Sequence, residues 1–330
     1  MDGSPPSFCR FKKPVWTRCQ SSLIGRSVYC KGQAYRGWRP ATPTTTSDSL
    51  FFVTVSITQV IVTSLDMQTS IRPSEQSAQL HEYGDNFYRF LASFAVRSAE
   101  QIIPLLNALL PINSVVDFGC GQGAWLSVWR KAGAKVTGVD GPYVDQQHLM
   151  IDADEFRGAD LSRTIDLGRR FDVVQSLEVA EHLPSSRASE FIGTLTSHGP
   201  LVMFSAAVPG QGGEHHINEQ PLEYWREKFR EHRYVAIDYV RPKVIANLQV
   251  QHWYRYNIIL YAEETYLATL PDPLRAFRVP EDQRLPNYWP LPDRVHHAVI
   301  RQLPRGAVDY LSRLKARLRA RKVKSTGSLS

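Results

Sequence analysis

The chain has 330 residues, 43% of them hydrophobic, and a formal net charge of +7. This length and apolar content can bury one large core with appendages. The positive charge lies at the ends: residues 67–300 carry 22 Lys/Arg and 28 Asp/Glu. A polyanion would be repelled from most of that acidic middle, so the composition argues against a nucleic-acid-binding domain.

Residues 1–66 differ in composition from the rest of the chain. They are rich in Ser, Thr and Pro, and they hold three of the four cysteines without paired C-x-x-C spacing. The apolar run 50–65 is too short and too rich in Ser and Thr for a membrane span, and it lies too far from the start for a signal peptide. We predict a disordered extension or an over-long translation start, with Met67 as the natural beginning.

The most informative segment follows a predicted helix over 86–110. An apolar strand, 115–118, leads into a turn with glycine at positions 119, 121 and 123, and a helical pattern begins at Ala124. Strand, glycine turn and helix build a nucleotide site at the carboxyl end of the first strand of an open α/β sheet. Glycine lets the backbone turn tightly and approach a ligand.

Two ligand classes use such a turn. Gly119-x-Gly121-x-x-Ala124 also fits the dinucleotide fingerprint, in which a pyrophosphate lies over the helix N-terminus. Asp117, two residues before the first glycine, suits instead a ligand with a cationic amino group and a sulfonium. A second strand, 135–140, ends in Asp140, about twenty residues after the glycines, where a carboxylate takes ribose hydroxyls in nucleotide-binding folds.

The run 117–123 resembles motif I, D-x-G-x-G-x-G, of class I S-adenosylmethionine (SAM)-dependent methyltransferases. The resemblance implies a Rossmann-like, doubly wound α/β fold whose seven-stranded, mostly parallel sheet has one antiparallel strand beside the fifth. It also implies that Asp160 accepts a hydrogen bond from the adenine amino group. The predicted cofactor-binding residues are Asp117, Gly119, Gly121, Gly123, Asp140, Asp160 and Gln175.

The remaining predicted elements alternate between strands and helices. They are strands over 171–177, 200–205, 234–240 and 255–262, the last central in the sheet, and a helix over 221–230. We predict a methyltransferase domain over 67–265, followed by a Pro-rich segment and a basic helix over 308–323. Tyr288-Trp289-Pro290 is expected to cover a core. For the basic helix a solvated tail is favoured, with weak membrane-surface contact as the alternative.

Residues 176–184 and 204–220 resemble bacterial small-molecule methyltransferases. Glu178, Glu181 and His182 stand at i, i+3 and i+4, so that one helical turn would face them the same way, and His216 would complete the set. The pattern resembles the E-x-x-E-H plus distal His of small-RNA 2′-O-methyltransferases and, in its first half, of ubiquinone-pathway O-methyltransferases. It implies a bound divalent ion, Mg²⁺ or Mn²⁺. His215 is the alternative to His216.

A second interpretation needs no metal. Glu178 and Glu181 would cap a helix N-terminus, where negative charge is favoured, and His182 or His216 would act as catalytic general base. Under either interpretation the sequence predicts a cytoplasmic SAM-dependent enzyme that O-methylates a small hydroxylated metabolite, glycan or lipid precursor. The alternatives are an RNA-terminal 2′-O-methyltransferase and a dinucleotide-binding oxidoreductase.

Overall fold

The computed structural model describes residues 85–304 and 306–314, which belong to one compact unit, Leu80–Ser330. The predictions for residues 1–66 and 315–323 lie outside the described residues. Seven strands form one sheet. They are β1 (Ser114–Phe118), β2 (Lys135–Asp140), β3 (Phe156–Gly158), β4 (Val173–Leu177), β5 (Leu201–Ser205), β6 (Tyr234–Ile237) and β7 (Ile259–Glu263).

Helices connect and cover these strands. They are α1 (Asp85–Asn107), α2 (Ala124–Lys131), α3 (Ala188–Ser197), α4 (Leu222–Glu231), α5 (Val240–Val244), α6 (His252–Asn257), α7 (Glu264–Leu267), α8 (Asp272–Arg275) and α9 (Leu291–Ile300). Residues 306–314 are also helical. None of the helices in the described part of the chain is both long and apolar enough to cross a membrane.

The strand order is β3-β2-β1-β4-β5-β7-β6, and every pairing is parallel except those of β7, which runs antiparallel to β5 and β6. This confirms the predicted doubly wound sheet and the antiparallel strand beside the fifth. The chain leaves β1 toward β2 and β3 and later returns to β4 on the other side of β1. Ligands of open α/β sheets bind outside the carboxyl ends of the strands at such a switch point.

Two hydrophobic layers cover the faces of the sheet. Neighbouring residues of β1 point to opposite faces, so Val115 packs with Ile102 and Trp129, whereas Val116 packs with Phe191 and Phe229. Burial on both faces explains why these strands are continuous apolar runs. Packing against these layers holds β1, β2 and β4 in place, so that their carboxyl ends lie at one edge of the sheet.

Two of the predicted strands were too long. Residues 255–257 belong to α6, and Val240 begins α5. The aromatic residues around 254 favour a strand by propensity, but packing decides otherwise. Tyr254 lies edge-on to Trp125, and Tyr256 packs on Trp289, as a short helix allows.

Two buried arginines hold the Pro-rich segment against the sheet. Arg241 is fully buried, forms two bonds of 2.7 and 2.8 Å with the Asp238 carboxylate and donates to the Pro286 carbonyl at 2.9 Å. Arg226 donates to the carbonyls of residues 279, 280 and 283. Trp289 is buried, as expected for a residue that covers a core. Residues 266–290 therefore pack as part of the same unit.

Candidate functional site

The glycine turn connects β1 to α2 at the switch point. All three glycines have positive φ: 89° at Gly119, 53° at Gly121 and 81° at Gly123. A Cβ at Gly119 would lie 2.2 Å from Val179 Cγ2, so this position requires glycine for packing. A Cβ at Gly121 would have no heavy atom within 4 Å, so the backbone there is open to a ligand.

Asp140, at the end of β2, fixes this turn. The buried carboxylate accepts a bond from the backbone N–H of Gly121 at 2.7 Å on Oδ2. Its Oδ1 accepts from the Gly141 N–H at 2.6 Å and from the Tyr143 hydroxyl at 2.8 Å. The predicted ribose-binding carboxylate therefore lies directly beside the open glycine.

Asp117 is buried beneath the turn. Its Oδ2 accepts from Gln175 Nε2 at 2.7 Å, and Gln175 Oε1 accepts from Trp129 Nε1 at 3.0 Å. Asp117 Oδ1 is buried with no hydrogen-bond partner among the described residues. Burial raises the pKa of Asp117 to about 8; the bond from Gln175 opposes this rise, and the charge of Asp140 adds to it. A cationic amino group is the partner that such a carboxylate lacks.

Two predicted cofactor residues have different surroundings. Gln175 is fully buried with its amide between Asp117 and Trp129, so it positions Asp117 rather than facing the crevice. Asp160 is exposed two residues after β3, where bonds from the Ser162 side chain and backbone lower its pKa. Gly158 pairs with Asp140, which places Asp160 at the same edge of the sheet. Its bond to adenine stays a prediction.

The turn after β4 differs from the predicted one. Glu178 has a φ of 58°, and Ala180–His182 is a three-residue 3₁₀ turn. The expectation of one α-helical turn presenting all three ligands was wrong, because a left-handed residue breaks the i, i+3, i+4 alignment. Helix capping by Glu178 and Glu181 was wrong for the same reason. The Glu178 carboxylate instead accepts from Gln211 Nε2 at 2.8 Å, next to Asn257.

Three of the four predicted metal ligands meet. Glu181, His182 and His216 each offer a ligand atom, and these atoms lie within 4.8 Å of one another. Glu181 is fully buried, and neither of its carboxylate oxygens has a hydrogen-bond partner among the described residues. Burial and the nearby charge of Glu178 raise its pKa well above the ordinary value, although weaker contacts with the backbone N–H groups of Glu181 and Ala207 oppose the rise. A cation would satisfy both oxygens.

Hydrogen bonds orient the two imidazoles. His182 Nδ1 lies 3.2 Å from the His215 carbonyl oxygen, which can only accept, so Nδ1 carries the proton and Nε2 keeps its lone pair. Desolvation and the neighbouring His216 lower the pKa of His182, which favours the neutral ring. His216 Nδ1 lies 3.0 Å from Glu219 Oε1. Such partners on the second nitrogen are typical of metal-bound histidines.

Glu219 is a site residue that the sequence analysis did not identify. Besides His216, it accepts bonds from the backbone N–H groups of Gly210 and Gly212 at 2.7 and 2.8 Å. These bonds lower its pKa although burial opposes the shift. The only sequence signal was the spacing His216-x-x-Glu219. His215 has a φ of 59° and an exposed ring, so His216 is the histidine in the cluster.

A cavity of about 290 Å³ borders this loop. Its inner wall includes His216, Asn218 and Glu219, and its outer wall comes from Arg301, Val308 and Asp309. The described start of the predicted solvated tail is exposed or half-buried and contacts the domain: Val308 lines this cavity, and Arg313 Nε lies 3.3 Å from Glu214 Oε1.

The sheet order, the glycine turn and the acidic strand ends together define a nucleotide-binding α/β enzyme domain. A family model described as a methyltransferase domain matches residues 80–252, just over half of the chain. The chain belongs to this family, and its domain is of the SAM-dependent class.

Curated relatives include ubiquinone biosynthesis O-methyltransferases of Rhodopseudomonas palustris strain TIE-1 and Nitrobacter winogradskyi, which are 30% and 28% identical over 120 residues. The alignments cover 34% of this chain and 46% and 44% of those proteins, so the chain spans less than half the length of these relatives. Among solved structures, the sugar N-methyltransferase KedS8 from Streptoalloteichus is 16% identical, with a TM-score of 0.45 over 59% of this chain and 96% of that one.

Proposed function

We propose that this chain transfers the methyl group of SAM to a hydroxyl oxygen of a small hydroxylated metabolite, glycan or lipid precursor, and that a divalent cation assists. The observation that carries this proposal is the cluster of Glu181, His182 and His216 at the sheet edge that also holds the glycine turn. Cofactor and metal sites at one edge would bring a methyl donor and an acceptor together.

On the cofactor side, two buried carboxylates and an open glycine support the assignment of SAM. Asp117 would receive the amino group, since its buried Oδ1 has no other described partner. Asp140 would receive the ribose beside the open Gly121, and Asp160 the adenine amino group. SAM itself supplies an activated methyl carbon, so the protein's task is orientation and help with the acceptor's proton. Positioning alone contributes on the order of 7–11 kcal/mol in favourable cases.

On the metal side, one carboxylate and two imidazoles form a mixed oxygen and nitrogen donor set. Mn²⁺ accepts such a mixed set more readily than Mg²⁺, which prefers oxygen ligands. Mg²⁺ with additional water ligands is the alternative. A bound ion would act as a Lewis acid that lowers the pKa of the acceptor hydroxyl. Glu219 would hold the His216 ring in place from the second nitrogen.

The cavity that His216 helps to line is the proposed acceptor site. Its walls mix polar groups such as Asn218 and Arg301 with the apolar Val308, which fits a neutral, hydroxylated molecule. Its outer wall lies beyond residue 252, where the family match ends. Acceptor choice would therefore depend on the part of the chain that the family does not share.

Methyl transfer from isotope-labelled SAM by the full chain tests the proposal. Activity on hydroxylated metabolite pools should disappear in EDTA and return with Mn²⁺ or Mg²⁺, while calorimetric SAM affinity stays constant. If His182 or His216 is a general base instead, activity falls on His→Ala substitution but is indifferent to EDTA. Binding of NADH without SAM would refute the cofactor, and methylation of an RNA oligonucleotide alone would refute the acceptor class.

A further inference from the structure

Tyr143 folds back onto the residue that would bind the cofactor ribose. Gly141-Pro142-Tyr143-Val144 forms a turn closed by a 3.1 Å bond from the Val144 N–H to the Gly141 carbonyl, with proline at its second position. A Cβ at Gly141 would lie 2.0 Å from the Tyr143 ring, so the missing side chain makes room for it. The Tyr143 hydroxyl donates to Asp140 Oδ1 at 2.8 Å.

This contact uses acceptor capacity that a ribose would need. A carboxylate oxygen has two lone pairs. Oδ1 of Asp140 already accepts from Gly141 N–H and Tyr143, and Oδ2 accepts from Gly121 N–H. One acceptor position remains, whereas a ribose with two free hydroxyls offers two donors. The backbone bonds belong to the turn, so the tyrosine is the donor that can leave.

The rest of Tyr143 is placed to move. Its surface is 81% exposed, which is unusual for a large aromatic residue beside a buried carboxylate. Partial desolvation of the hydroxyl and the charge of Asp140 raise its pKa, so the phenol stays protonated and remains a donor at neutral pH.

We propose that the Tyr143 hydroxyl occupies a ribose-hydroxyl position on Asp140 and that SAM must displace it to bind. The inference rests on the proposed use of SAM and adds a competing group to the cofactor site. Tyr143 then sets cofactor affinity and association rate. SAM can make all of its contacts only with molecules whose tyrosine has left Asp140. The apparent Kd therefore rises as the fraction of such molecules falls, in inverse proportion to it.

SAM titration of the full-length Tyr143→Phe variant tests the proposal, because phenylalanine keeps the ring and removes the competing donor. We expect SAM to bind about 3- to 10-fold more tightly, a range for one hydrogen bond to an accessible carboxylate, with faster association in stopped flow. Tyr310→Phe is the matched control, since Tyr310 is also exposed and lies in the C-terminal helix. It should leave SAM affinity unchanged.

S-adenosylhomocysteine and its 2′,3′-dideoxy analogue separate the competing bond from a general effect of the substitution. Tyr143→Phe should tighten the first and leave the second unchanged. Unchanged or weaker SAM binding by Tyr143→Phe, with wild-type binding intact, would overturn the competition. Absence of SAM binding by the wild-type protein would instead refute the proposed function.

Discussion

Two acidic regions at one sheet edge use their carboxylates in opposite ways. In the cofactor region, Asp140 accepts three hydrogen bonds, two of them from the backbone of neighbouring turns. In the cluster after β4, the buried Glu181 accepts none from the described residues and faces two imidazoles. The first region is shaped by the chain itself. The second presents a buried carboxylate that the described residues leave without a hydrogen bond.

This difference separates pre-organisation from ion dependence. Backbone donors hold the Asp140 carboxylate in position, so cofactor binding requires only that the Tyr143 hydroxyl leave it. A buried carboxylate is costly unless a cation joins it. We therefore expect substitutions in the two regions to affect separate measurements, and the predictions below test that separation.

The largest effect is expected for Glu181→Gln. Loss of the anionic ligand should reduce activity about 10²- to 10⁴-fold, because Lewis-acid assistance is worth several kcal/mol. SAM affinity by calorimetry should stay constant. The melting temperature of the metal-free protein should rise, since a neutral amide is less costly to bury than a carboxylate. Glu227→Gln on the exposed face of α4 is the control, and a parallel loss of SAM binding would contradict the separation.

Asp140→Ala should affect the other region. The substitution removes a charged hydrogen-bond acceptor for the ribose and for the backbone of the glycine turn. It should weaken SAM binding by about 1.5–3 kcal/mol, or roughly 10- to 150-fold. Binding of Mn²⁺, followed by electron paramagnetic resonance, should not change. Asp154→Ala, at an exposed acidic position, provides the comparison. A folded Asp140→Ala protein with wild-type SAM affinity would remove Asp140 from the cofactor site.

Glu219→Gln sharpens the comparison within the cluster. Glu219 supports His216 without being one of the three clustered residues, so the substitution should weaken Mn²⁺ binding about 10- to 100-fold, as for other partners of metal-bound histidines. Activity should recover at high Mn²⁺ concentration, unlike that of Glu181→Gln. Failure of added metal to restore activity would show that Glu219 acts on the loop rather than through His216.

The smallest effect concerns pH. Asp117 has a pKa raised to about 8, and a cationic amino group would favour its charged form. SAM binding then releases a proton, so affinity should increase with pH, by up to about tenfold between about pH 6 and 7. Asp117→Asn should remove this dependence. Equal slopes in calorimetry for the variant and wild type would place the amino group elsewhere.

Much of the fold followed from local patterns. β2 begins and ends where its apolar run predicted, and α2 starts at Ala124 directly after the glycine turn. Strong periodicity and glycine spacing are local signals, so they survive in the folded protein. The antiparallel β7 came only from the resemblance, since its direction depends on pairing with β5.

The site was harder to predict because its geometry depends on contacts distant in sequence. The left-handed backbone at Glu178 accompanies bonds to Gln211 and Asn257, 33 and 79 residues away. Neither partner can be inferred from the E-x-x-E-H spacing. Glu219 and Tyr143 were missed for the same reason. Each bonds to a residue three positions earlier in the chain, but only the folded turns show that the two side chains meet.

The two arginines that bind the Pro-rich segment limit where this protein can be truncated. The family match ends at residue 252, yet Arg226 and Arg241 give five of their hydrogen bonds to backbone carbonyls at Tyr256 and between Val279 and Pro286. A fragment ending at the family boundary would remove all five of these carbonyl acceptors and leave the Asp238 carboxylate as the remaining acceptor of the buried Arg241, and β7 would be lost as well. We therefore expect a fragment that folds independently to extend to at least about residue 290, well beyond residue 252, where the family match ends.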